Sequence, residues 1–145
     1  MAFMRIDSRI ASPIADRDHR CAILELAFAM CAVDGHLADE ELAAFRDLVG
    51  ILQGRPATDD DVGELLERFV EKAQMLGVEE RVARLALNVP PPLRETAFRV
   101  TFALSLVDGE ESAFERELGN ELAGHLAMSA EQAAALEASV RALSA

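Results

Sequence analysis

A chain of 145 residues is long enough for one compact domain with its own apolar core. Hydrophobic residues make up 51% of it and the mean hydropathy is +0.13, which excludes a disordered polymer. The formal net charge of −12 creates a field that repels phosphate backbones and argues against nucleic acid as a direct partner.

Ala and Leu dominate and β-branched residues are sparse, so the composition favours helix. Residues 1–15 have no clean period and contain Pro13; they read as a tail, or a short turn packed on the body. A single helical domain is expected over residues 16–145. Asp16 and Asp18 suit the start of a first helix. From residue 21 to 33 only Glu25 is charged, the pattern of a buried helix, and Asp34-Gly35 ends it. The second helix spans about 38–53, with Leu42, Phe45, Leu48, Val49 and Leu52 as its apolar stripe. Thr58 caps the third, whose stripe is Leu65, Leu66, Phe69, Val70 and Ala73 and which Gly77 ends. The fourth covers about 78–88, with Val82, Leu85 and Ala86 facing inward. Pro90-Pro91-Pro92 restarts the chain. A fifth helix, about 93–107, is again apolar nearly all round. Ser112 to Glu115 and Ser129 to Gln132 have the form of capping boxes opening helices six and seven. Helix seven carries Ala133, Leu136, Val140 and Leu143 on one face. No stretch alternates with period two. The expected fold is all-α: a seven-helix bundle built on two pseudo-repeated helix–loop–helix units.

The two cysteines, Cys21 and Cys31, lie about 15 Å apart along one helix, too far to bridge within it. They read as small buried apolar residues of a reducing compartment. Residues 1–16 contain no apolar run like that of a signal peptide. The longest apolar runs, 21–33 and 97–107, are shorter than the roughly 20 residues of a membrane span. A cytoplasmic protein is expected.

Asp34-Gly35 with Glu41, and Asp108-Gly109 with Glu115, repeat one signal 74 residues apart, each after an apolar helix. A calcium-binding EF-hand loop separates its invariant Gly from its last ligand, a bidentate Glu, by the same six residues. The earlier ligand positions fall on Met30 and Ala32, or on Leu104 and Leu106, none of which can ligate. Each copy therefore offers half a site, and two halves brought together would make one. The competing reading is structural: Asp34 and Asp108 accept free N–H groups of the following helix, and Glu115 serves its capping box. His36 stands in the first link as a nitrogen ligand or a solvated side chain. Glu25 and Arg99 are equivalent by the same 74-residue shift. They would meet as a partly buried ion pair if the copies pack about a twofold axis, or else reach solvent separately. No nucleophile–base pair, phosphate-binding loop or HExxH motif occurs, so no catalytic residue is named and a non-enzyme is expected.

The stretches Phe-Ala-Met-Cys-Ala-Val-Asp-Gly-His-Leu-Ala-Asp-Glu-Glu at 28–41 and Phe-Ala-Leu-Ser-Leu-Val-Asp-Gly-Glu-Glu-Ser-Ala-Phe-Glu at 102–115 resemble the TerB-like family. That family includes the tellurite-resistance protein TerB and the N-terminal domain of the DjlA co-chaperone. The resemblance implies a seven-helix fold in a bacterial cytoplasmic protein tied to tellurite or stress resistance, with Asp34, Glu41, Asp108 and Glu115 as metal ligands. The chain departs from the family pattern at Ala38, where a capping residue is usual, and at Phe114, where an acid is. The expected cofactor is a divalent cation, calcium or zinc. The expected partners are proteins of a stress-response assembly, with a homodimer left open. The alternative is a metal-free adaptor that docks a partner through an apolar groove or an acidic face.

Overall fold

The computed structural model of the chain describes residues 6–31, 39–107 and 113–143. Seven α-helices run through them: α1 (Arg17–Cys31), α2 (Asp39–Gln53), α3 (Asp59–Leu76), α4 (Val78–Leu87), α5 (Arg94–Ser105), α6 (Ala113–His125) and α7 (Ala130–Ala142). A 3-10 turn over Pro91–Leu93 leads into α5. No strand occurs among the described residues, and the all-α expectation holds.

Local chemistry sets the helix ends. Asp16 accepts the His19 N–H at 3.0 Å and so caps α1. Thr58 and Asp61 form a reciprocal box before α3: the Asp61 N–H donates to Thr58 Oγ1, and the Thr58 N–H donates to Asp61 Oδ2, both at 3.1 Å. Ser129 and Gln132 do the same before α7. The box at Ser112 lies outside the described residues. α2 closes with a left-handed residue, Gly54 at φ 79°, and the Arg55 N–H returns to the Gly50 carbonyl. α6 closes the same way, but its left-handed residue is Ala127 at φ 60°. There the Met128 N–H reaches the Ala123 carbonyl and the Ala127 N–H reaches that of Gly124, a Schellman motif built without glycine.

The core is centred on α1 and α5. Every residue from Ala22 to Ala29 is buried, as is every residue from Ala97 to Ser105 except Arg99. α1 packs against α2, α3, α4, α5 and α6, while α5 also meets α2, α6 and α7. The apolar periodicity of the two segments therefore corresponds to helices enclosed on nearly all sides. Thr101 and Ser105 pass through this interior by donating back to the carbonyls of Ala97 and Phe102. Phe69 joins three helices, with ring centroids 5.8 Å from Phe28 and 6.4 Å from Phe45. Arg141 lies over the Phe102 ring at 5.1 Å and holds α7 on α5.

The predicted stripes hold on α2 at Phe45, Leu48, Val49 and Leu52, and on α4 at Val82, Leu85 and Ala86. Leu42 departs from its stripe and is exposed, because it lies at the margin of the buried arc centred on Phe45 and Leu52. Leu65, Leu66 and Val70 are half-buried, since α3 packs from one side on α1 and α4. Residues 6–16 form a turn laid against the body. Ile6, Ile10 and Ile14 enter the core, and the Ile14 N–H donates to the Leu52 carbonyl at 2.8 Å.

Candidate functional site

The motif residues sit where α1 and α5 hand the chain to α2 and α6. Asp34 and His36 fall in residues 32–38, and Asp108 in residues 108–112, outside the described residues. Glu41 is the third residue of α2 and is half-buried. Glu115 is the third residue of α6, with its side chain outside what is described. Both glutamates thus occupy a first turn, where the helix macrodipole favours a carboxylate. Among the described residues no group of three or more His, Cys, Asp or Glu side chains forms a metal-binding cluster.

Glu25 is 3% exposed and is the one buried acid of the described core. Its partner is Arg81 of α4, not Arg99. The Arg81 guanidinium grips the carboxylate with both Nε and Nη2, the Nη2 bond to Oε1 measuring 2.8 Å. Lys72 of α3 approaches the same oxygen at 4.0 Å. The hydrogen bond to Glu25 raises the Arg81 pKa above its ordinary value against the opposing effect of burial. Arg99 turns the other way and donates to the Arg9 carbonyl at 3.0 Å, while its Nε is buried without a partner among the described residues. The equivalence drawn from the 74-residue shift fails here, because a helix that the shift does not relate, α4, lies against Glu25. Sequence reasoning saw the need for a counter-charge but missed Arg81. The signal available was the row Val82, Leu85 and Ala86, which turns α4 toward the core and leaves Arg81 at its edge.

Cys21 is half-buried rather than sunk in the core. It lies on one face of α1 with Arg17, Arg20 and Leu24, at spacings of three and four, along a cleft of about 640 Å³ between α1 and α3. The side chain of Cys31 lies outside what is described.

The family model for tellurite resistance protein TerB matches residues 20–138. The chain belongs to the TerB family. Within this TerB-family chain the match takes in both Asp-Gly…Glu links, the Glu25–Arg81 pair and α2 to α6 in full. The turn at residues 6–16, with its three buried isoleucines, precedes it. No curated protein and no solved structure matches the chain. Among the described residues, no helix is long and apolar enough to cross a membrane.

Proposed function

We propose that the protein is a non-catalytic TerB-family module that takes a divalent cation through its two Asp-Gly…Glu links and works within a stress-response assembly. One observation carries the reading: each link follows directly on one of the two central helices, α1 and α5, which are enclosed on nearly all sides. A link rooted in such a helix starts from a fixed point, and a chain anchored at a fixed point has less freedom to lose when it binds an ion. The donors would be Asp34, Glu41, Asp108 and Glu115, all carboxylates. Hard oxygen donors suit calcium, which takes six to eight of them. Zinc prefers nitrogen and sulfur, and only His36 offers either in these links. The cation would neutralise carboxylates of both links and tie one link to the other, a structural role with no reaction attached. The net charge of −12 raises the local concentration of cations around the molecule. Calorimetric titration with calcium, zinc and manganese tests the reading. Calcium and manganese should bind the wild-type protein and fail to bind Asp34→Asn/Asp108→Asn; titrations that are flat, or unchanged by the substitutions, contradict it.

A second reading, a metal-free adaptor, draws on a separate observation. Met75 near the end of α3 and Leu87 at the end of α4 are 76% and 81% exposed, against the general burial of large apolar side chains here. If they anchor a partner, Met75→Ser/Leu87→Ser abolishes its co-purification and leaves the calcium titration unchanged.

A further inference from the structure

The cleft between α1 and α3 has walls of opposite charge. On one side stand Arg17 and Arg20 of α1, joined by Arg55 from the turn after α2. On the other, α3 presents Glu64, Glu67 and Glu71, with Arg68 among them. The floor is apolar, built from Leu24, Val49 and Leu65. Arg55 reaches Asp61 at 3.5 Å, and Arg20 is turned to the Ile14 carbonyl at 2.8 Å. Arg17, Glu64, Glu67 and Glu71 form no ion pair among the described residues. Apart from the Arg55–Asp61 pair, opposite charges therefore line a common space without closing on one another.

We infer that this cleft receives an amphipathic helix from a partner protein, its apolar stripe on Leu24, Val49 and Leu65, acidic residues along the edge facing Arg17, and basic residues along the edge facing Glu64, Glu67 and Glu71. Three arguments select this occupant. The first is charge complementarity: a segment with one acidic and one basic edge satisfies both walls, whereas a uniformly charged one meets repulsion from one of them. The second is backbone chemistry. The two long walls are helices, so no strand edge is offered to an extended peptide. An entering segment must satisfy its own backbone, as a helix does. The third is size. Asp61 to Glu71 extends over about 15 Å of α3. A volume of about 640 Å³ along that length leaves a channel of roughly half the cross-section of a helix with its side chains. A helix of about three turns would sit half-sunk, its charged edges level with the walls. None of the cleft's described lining residues belongs to the Asp-Gly…Glu links, and its occupant needs no cation.

The test uses the full chain in EDTA, with three labelled helical peptides of 14 residues that share one leucine stripe. One has a glutamate edge and a lysine edge, one has lysine on both edges, and one has glutamate on both. In fluorescence anisotropy the mixed peptide should bind at least about tenfold more tightly than either uniform peptide, from several exposed pairs acting together. Added salt should weaken it. Arg17→Glu and Glu67→Lys, both exposed and so expected to leave the melting temperature unchanged, should each cost several-fold in affinity. Amide shifts should map to α1 and α3. The proposal is overturned if the lysine peptide binds as tightly as the mixed one, which is attraction to an acidic protein and nothing more. Shifts confined to other helices overturn it too. So does sedimentation showing a dimer that Arg17→Glu dissociates, because a second copy would then fill the cleft. EDTA keeps the result apart from the fate of the cation reading.

Discussion

Glu25 carries the sharpest energetic consequence of any single residue. A carboxylate this deeply buried is tolerable because Arg81 binds it with two hydrogen bonds and Lys72 adds a further positive charge. Arg81→Met leaves the carboxylate without its main partner and is expected to cost about 3–5 kcal/mol in urea unfolding. Glu25→Leu/Arg81→Met, which removes both charges and fills the space with apolar groups, should recover most of that loss. A double-mutant cycle between Glu25 and Arg99 should show coupling near zero, since Arg99 is spent on the Arg9 carbonyl. The sequence makes the demand for a counter-charge visible, because one acid stands in a run of buried apolar residues. The identity of the partner depends on which helix lies across α1, and a shift along the chain does not carry that information.

At the level of elements, the helix ends give the clearest predictions. Ala127 holds a left-handed conformation that costs an L-residue about 1–2 kcal/mol, so Ala127→Gly should raise stability by roughly 1 kcal/mol. Gly54→Ala, at the matching end of α2, should lower it by a similar amount. Thermal melts of the two variants should move in opposite directions. At the start of α3 the Thr58 N–H holds the Asp61 carboxyl below its ordinary pKa, with the Thr58 hydroxyl, Gln53 and Arg55 acting in the same direction. A depressed folded-state pKa means a contribution present above the unfolded value, near 4, and lost as pH falls through the lower folded value. Asp61→Asn should therefore lose stability at neutral pH and flatten the decline below pH 4, as pH-dependent melts can show. The caps at Asp16, Thr58 and Ser129 were legible in the sequence because each is a local bond between residues three apart. The left-handed Ala127 was not, since nothing in its residue type announces that conformation.

For the whole molecule, the helix order, the two central helices and the inward faces of α2 and α4 could be read from hydrophobic periodicity, which records burial directly. For the segment before α1 it left a tail and a packed turn both open. Three isoleucines spaced four apart, Ile6, Ile10 and Ile14, become core residues only once α2 and α5 provide a surface for them. Ile10→Ala should accordingly cost about 2–5 kcal/mol, a core-sized loss, in chemical denaturation. The cleft between α1 and α3 was invisible, because its two walls come from helices separated along the chain by the whole of α2. Of the candidate ligands only Glu41 has a described side chain, and the sequence alone brings Asp34, Glu41, Asp108 and Glu115 into one hypothesis. Paramagnetic line broadening tests that hypothesis most directly. Substoichiometric manganese added to the isotope-labelled protein should selectively broaden the amide signals of residues 34–41 and 108–115, and calcium should restore them. Broadening centred instead on the exposed acids Asp59 and Asp60 of α3, or spread evenly over the acidic surface, would contradict a cation held between the two links.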